Sequence, residues 1–316
     1  MQEIAKSLKQ LNNFLILVHV NPDGDAIGSG MALKRILEKM GKKAVFAVDG
    51  NLPRKLNFVQ EYSEIGKAED ILSRDFECAI AVDVADKERL GAYLGKFMES
   101  EVRINIDHHA TNSMFGTLNH VENVGAAGIL VYELAKLLGV EIDMETATLL
   151  YVAICTDTGN FSYGNADSRV LRTASELVGY GIDIPRIIKT IYKERTIQEL
   201  KLLGVAIDHT RLFSEGRIGV SYIRIEDFER CSITIDDTEE LIDFIRDIYG
   251  VEIAMILKES EEGKFRISFR SNSYADVAGL AALFEGGGHS RASGGRIEGE
   301  LEDAIQRLVE KAEKFI

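Results

Sequence analysis

The strongest constraint on this chain is a set of apolar runs that do not alternate and that stop at histidine or aspartate. Phe14 to Val18 runs into His19 and Ala79 to Val82 into Asp83, and Val102 to Ile106, broken by Arg103 and Asn105, runs into Asp107-His108-His109. A strand apolar at every position is covered on both faces, which is the environment of a parallel sheet flanked by helices. The candidate strands are therefore Phe14 to Val20, Ala44 to Val48, Ala79 to Val84 and Val102 to Ile106. Between the first two, Leu33, Ile36, Leu37 and Met40 recur at helical spacing and Gly41 supplies the stop. A second helix carries Leu130, Leu134, Leu137 and Leu138 and ends at Gly139. The βαβα order predicts a doubly wound α/β domain, in which ligands bind at the carboxyl edge of the strands. The run Thr146 to Cys155 is too apolar for periodicity to separate helix from strand.

With 316 residues, two domains are expected. The charged, proline-free stretch from Lys193 to Lys201 reads as a connecting helix with few core positions. Beyond it, Arg217 to Arg224 and Lys264 to Arg270 alternate like half-buried strands, with Phe265, Ile267 and Phe269 on one face. A helix from Asp276 to Phe284 then leads into Gly286-Gly287-Gly288-His289. This divides the chain into a first domain over 1–190, a connecting segment over 191–205 and a smaller α/β domain with a mixed sheet over 206–316.

The residues at the strand ends suit divalent metals. His19 is followed by Asp23-Gly24-Asp25 on a turn that Pro22 restricts, and Asp157 lies in Cys155-Thr156-Asp157-Thr158-Gly159. Each has a plain structural alternative: Asp-Gly pairs make ordinary turns, Asp83 could cap a helix, and His19 could be a satisfied core histidine. Asp86 reads as a cap or hydrogen-bond partner. Aspartates gathered at one edge without cations repel one another, and a pair of divalent metals cancels that charge. Carboxylates favour hard cations, and imidazoles shift the preference toward transition metals, so Mn²⁺ is expected ahead of Mg²⁺. Two ions roughly 3.5–4 Å apart can activate water and stabilise the entering and leaving oxygens of a phosphoryl displacement. In the second half, the three glycines let backbone N–H groups approach an anion, with Arg270, His289 and Arg291 nearby.

A formal net charge of −14 argues against a protein that tracks along nucleic acid, because such binding needs Lys and Arg opposite many phosphates. It leaves room for a short nucleotide in a local cationic pocket. No apolar stretch is long enough to span a membrane. Phe14 to Val18 is short, interrupted by His19 and without a small-residue cleavage site, so it reads as a strand and not as a signal peptide. Three scattered cysteines, Cys78, Cys155 and Cys231, fit reduced thiols and a cytoplasmic location.

In family order, His19 to Gly28, Val82 to Gly91, Asn105 to Asn112, Thr156 to Phe161, Phe269 to Ser271 and Gly286 to Gly294 resemble the DHH/DHHA1 phosphoesterases. Within them the chain is similar to the small stand-alone group of nanoRNase/pAp phosphatases and cyclic-di-AMP phosphodiesterases. The resemblance implies that His19 and Asp23 hold one Mn²⁺, that Asp25, His108 and Asp157 hold the other, and that Asp83 bridges them. It implies that Asp107 orients the histidines and His109 contacts the scissile phosphate, while Arg270, Ser271, Gly287, Gly288 and His289 bind the nucleotide. It further implies an active site in the cleft between the domains, a homodimer, and short substrates such as pApA, with pAp and cyclic-di-AMP as additional ones. A RecJ-like single-strand exonuclease is the alternative enzyme. A nucleotide-sensing protein without turnover is the non-enzymatic one, and no ligand of the motif is missing to support it. Ala110 stands where proline is frequent, Glu285 where another glycine is common and Ser293 where alanine is usual, so Glu285 bears on phosphate affinity and leaves the metal chemistry untouched.

Overall fold

The computed structural model describes residues 1–50, 52–66, 71–235, 238 and 240–316. They form two compact units, Met1–Glu194 and Arg195–Ile316. The first is built on five parallel strands, β1 (Asn13–Leu17), β2 (Lys43–Ala47), β3 (Cys78–Val82), β4 (Val102–Asp107) and β5 (Leu118–Val121), in the order β2-β1-β3-β4-β5. Successive side chains of β1 point to opposite layers. Phe14 and Ile16 pack with the helices Gly24–Lys39, Ala127–Leu138 and Met144–Asp157, whereas Leu15 and Leu17 pack with Leu90, Tyr93 and Phe97 on the other face. Double cover is why the run shows no alternation.

The run that periodicity left undecided is the helix Met144–Asp157, with every residue from Thr146 to Cys155 buried. A helix buried all round carries no amphipathic signature. It packs on the helix Gly24–Lys39 at van der Waals distance because that helix presents glycines at the crossing: a methyl built on Gly28 would lie 2.4 Å from the Leu149 carbonyl oxygen, and one on Gly24 would lie 2.3 Å from Thr156 Oγ1. That approach brings the two ends of the helix pair, Asp25 and Asp157, into one neighbourhood.

The second unit holds a six-stranded mixed sheet of β6 (Arg211–Phe213), β7 (Ile218–Ile223), β8 (Ile253–Glu261), β9 (Lys264–Ser271), β10 (Gly287–His289) and β11 (Ala292–Glu298), ordered β10-β11-β9-β8-β7-β6. Only β7 and β8 pair in parallel. On β9, Phe265, Ile267 and Phe269 face the core as the alternation predicts. On β7 the expectation of a half-buried strand is corrected. Ile218 to Ser221 are all buried, since one core takes Ile218 and Val220 and the other side lies under Ile245, Val251 and the helix Ile197–Asp208. That helix opens with a Thr196–Glu199 capping box and buries Leu202 and Ala206 in the second unit. The helix expected over Asp276 to Phe284 spans Val277–Ala282, capped by Asp276. Cys78, Cys155 and Cys231 are buried free thiols. Among the described residues, no helix is long and apolar enough to cross a membrane.

Candidate metal centre

The parallel register places the ends of β1, β3 and β4 side by side, with Leu17 opposite Ala81 and Val82 opposite Ile106. His19, Asp83 and the Asp107-His108-His109 segment therefore leave the sheet at the same edge. Asp83 turns there in left-handed backbone, φ 59°, with its N–H donating to the Ile106 carbonyl at 2.9 Å. A residue with a Cβ adopts this conformation at a cost and keeps it where the surroundings demand it. Asp23 caps the next helix, its Oδ1 accepting from the N–H groups of Asp25 and Ala26, which leaves Oδ2 for other partners. Asp25 lies against the start of another helix and accepts from the N–H groups of Ala127 at 2.6 Å and Gly128 at 2.9 Å. The positive end of that helix dipole favours its carboxylate form.

The structure gathers the side chains that the sequence singled out. His19, Asp23 and Asp83 form one group able to hold a metal ion, and Asp25, His108 and Asp157 form another; Asp83 also groups with His108 and His109. His19 Nε2 lies 3.8 Å from Asp23 Oδ2 and 3.7 Å from Asp83 Oδ2. His108 Nε2 lies 3.3 Å from Asp83 Oδ1, 3.8 Å from Asp25 Oδ2 and 3.9 Å from Asp157 Oδ2. Asp83 is 2% exposed, while Asp23 forms the open side with its side chain 59% exposed.

Two buried atoms in this cluster, Asp83 Oδ1 and His108 Nε2, have no hydrogen-bond partner. They lie 3.3 Å apart without hydrogen-bond geometry between them. An unsatisfied buried acceptor costs about 1–3 kcal/mol, and a site that leaves two donor atoms of metal-ligand type unpaired fits a cation between them. The imidazoles are set for it. His108 Nδ1 lies 3.0 Å from the Val124 carbonyl and His19 Nδ1 2.9 Å from the Val20 carbonyl. With the His108 Nδ1–H donating to its carbonyl, Nε2 of that ring presents a lone pair to the cluster.

Charge in the metal-free cluster is unbalanced. Burial, then the neighbouring Asp83, pushes the Asp25 carboxyl well above its usual range. Burial is also the main reason Asp157 rises to about 7, with His108 pulling the other way and Asp83 adding to the rise. Burial works against the His108 cation, but Asp83, Asp25 and Asp157 outweigh it and hold its pKa up at about 11.

Behind the cluster, Asp107 is fully buried. Its Oδ1 accepts from His109 Nδ1 at 2.8 Å and its Oδ2 from Asn112 Nδ2 at 2.5 Å. Asn112 and the buried Asn105 also donate to the Val84 carbonyl. Sequence reasoning singled out neither asparagine, nor Arg89, whose Nη2 lies 3.0 Å from His19 Nδ1. Their signal was confined to nearness in sequence to the motifs, since pairing across β3 and β4 emerges only on folding. Asp86 begins the 3₁₀ turn Lys87–Tyr93 without a side-chain capping bond.

In the second unit, Gly287–His289 pairs antiparallel with β11, so the glycine run is an edge strand. Gly286 and Gly288 are required by packing, because methyls built there would lie 2.0 Å from the Gly294 carbonyl oxygen and 2.7 Å from that of Ala292. Gly287 is exposed and meets nothing within 4 Å. Arg270 donates to its own strand at the Phe269 carbonyl, 3.1 Å, with Nε 3.8 Å from Asp243. Ser271 is buried, its hydroxyl between the Ser290 carbonyl and Arg291, which also reaches the Ala275 carbonyl. His289 is exposed.

A parallel sheet covered on both faces, with this carboxylate and imidazole cluster at its strand ends, has the donor set of a two-metal hydrolase, and the family comparisons make it a phosphoesterase. The description "DHH family, N-terminal domain" matches residues 13–154, and "DHHA1 domain" matches 219–316. A bifunctional oligoribonuclease and PAP phosphatase NrnA of Thermus thermophilus is 34% identical over 313 residues, covering 98% of this chain and 92% of the relative. The protein of the same name from Bacillus subtilis is 28% identical over 300 residues, 93% of this chain and 92% of its own. An exopolyphosphatase-related protein from Bacteroides fragilis superposes with a TM-score of 0.92 at 25% identity, covering 99% of this chain and 95% of that one. The chain belongs to the DHH/DHHA1 phosphoesterase family.

Proposed function

We propose that this chain is a cytoplasmic, Mn²⁺-dependent phosphodiesterase that hydrolyses very short 5′-phosphorylated oligoribonucleotides such as pApA to mononucleotides, and that also accepts pAp and cyclic-di-AMP. The observation that carries the reading is the pair of orphaned buried atoms, Asp83 Oδ1 and His108 Nε2, at the centre of a carboxylate cluster. His19 and Asp23 would hold one cation, Asp25, His108 and Asp157 the other, and Asp83 would serve both; Mg²⁺ is the substitute the donor set tolerates. When bound, such a pair supplies charge neutralisation at the phosphoryl oxygens and a more acidic attacking water.

The chain's own groups do the rest. Asp107, itself held by Asn112, fixes the His109 ring through Nδ1, and His109 offers Nε2 to the scissile phosphate. In the second unit, Gly287 supports the nucleotide role because no packing accounts for its missing side chain; Gly288 and His289 follow it on β10, and Arg270 on β9 is in register, through Ala292 of β11, with His289. Ser271 acts there by holding the Ser290–Arg291 turn. The identities of the Thermus and Bacillus relatives support short RNA and PAP as substrates. The experiment that tests the reading is hydrolysis of pApA, pAp, cyclic-di-AMP, pyrophosphate and single-stranded DNA by metal-stripped and Mn²⁺-loaded protein. Turnover of pApA to AMP only in the loaded form is expected, and preference for pyrophosphate or long DNA refutes it.

A further inference from the structure

Two residues after Asp157 begin three successive residues in left-handed backbone: Gly159 at φ 54°, Asn160 at φ 54° and Phe161 at φ 63°. Two of them carry side chains, for which this conformation is costly and rarely consecutive. The surroundings enforce it. Asn160 N–H donates to the Cys155 carbonyl at 2.7 Å, Phe161 N–H to Thr158 Oγ1 at 3.2 Å, and Ser162 and Tyr163 N–H to the Thr158 carbonyl at 3.0 and 3.1 Å. The Phe161 ring packs on Tyr151, centroids 5.8 Å apart, and Asn165 Nδ2 ties the far end to the Asp157 carbonyl at 3.1 Å.

What this strained turn delivers is the Tyr163 ring. A methyl built on Gly159 would lie 2.3 Å from Cζ, 2.4 Å from Cε1 and 2.6 Å from Cε2, so the glycine backbone lies against one face of the ring. Tyr163 is nonetheless 48% exposed. Burial of the ring therefore does not account for the strain, and the ring is fixed against Gly159, two residues after Asp157 of the metal-binding cluster. An acidic chain gains little from further phosphate contacts, whereas base–aromatic stacking adds affinity independently of charge.

We propose that Tyr163 is the base-contacting residue of the site, stacking a nucleobase of the substrate on its open face and thereby favouring nucleotides over other phosphoesters. This rests on the nucleotide reading given above. The test is a cycle between side chain and base, with Tyr163→Ala and Tyr163→Phe assayed on pApA and on its two analogues lacking one adenine. Stacking predicts that Tyr163→Ala raises KM for pApA by about 5- to 150-fold, and Tyr163→Phe by less than twofold. On the analogue that lacks the stacked base, Tyr163→Ala should change KM by no more than about twofold, because the partner is already absent. Equal losses on pApA and both analogues, or wild-type KM for Tyr163→Ala on pApA, overturn the inference. If wild-type protein turns over bis-p-nitrophenyl phosphate but not pApA, the nucleotide reading itself falls, and this inference with it.

Discussion

Replacing Asp83 by asparagine separates what the centre costs the metal-free fold from what it gains with metal. Asp83 is buried, in left-handed backbone, with Oδ1 unpaired and its charge raising the pKa of the neighbouring Asp25 and Asp157 carboxyls. Removing the charge lessens that repulsion but gives up its attraction to His19 and His108, so the two effects oppose and metal-free stability should change by no more than about 1 kcal/mol in either direction. Metal makes the difference large. Wild-type protein with Mn²⁺ at 100 times its dissociation constant should gain about 2.7 kcal/mol, and the variant less than a third of that. Turnover should fall at least about 1,000-fold, which corresponds to roughly 4 kcal/mol of lost transition-state stabilisation. Urea melts with and without Mn²⁺, read beside steady-state rates, measure all three quantities. A variant that keeps the Mn²⁺-induced stabilisation and stays within tenfold of wild-type turnover would refute the assignment of Asp83 as the shared ligand.

Three further outcomes follow from the second unit. Arg270→Ala should raise KM for pApA about tenfold or more while changing bis-p-nitrophenyl phosphate hydrolysis less than threefold, and equal losses would make Arg270 a structural partner of Asp243. Glu285 stands at φ 50°, so Glu285→Gly should stabilise the protein by about 1 kcal/mol in urea melts and lower KM for pApA about twofold by removing a negative charge beside the glycines; destabilisation would contradict this. Glu252 is buried and accepts from the Ser273, Tyr274 and Ala275 N–H groups and the Ser273 hydroxyl; burial opposes its ionisation, but these bonds outweigh it and hold its pKa below the usual value. Its contribution is therefore fully present above an unfolded pKa of about 4.3 and lost as pH falls through the lower folded value, so Glu252→Gln should cost about 2 kcal/mol at pH 7 and progressively less below pH 4. A gap independent of pH between 7 and 3 would refute it.

The sequence carried the central strands because parallel strands covered on both faces leave unbroken apolar runs, as in β1 and β3. It missed β5, whose four residues, Leu118–Val121, are all half-buried at the sheet edge and mix polar with apolar types. The helix Met144–Asp157 could not be told from a strand, since burial on every side erases periodicity. At the site, residue types announced the aspartates and histidines, each just past a strand or at a helix end. What the types could not announce were partners supplied by the fold: the Ala127 and Gly128 amides on Asp25, the Val20 and Val124 carbonyls on the histidines, and the Asn105–Asn112 link behind Asp107. The glycine run read as an anion nest is an edge strand, two of whose three glycines answer to packing on β11.

The most direct test of the account is the dependence of kcat/KM on substrate length for Mn²⁺-loaded protein over 5′-phosphorylated oligoadenylates, with a chelated control. A chain of net charge −14 gains little from added phosphates, so the account predicts a maximum at pApA, AMP as product, a fall with each added nucleotide and no turnover after chelation. A rate that climbs with length, or that survives removal of metal, would contradict it.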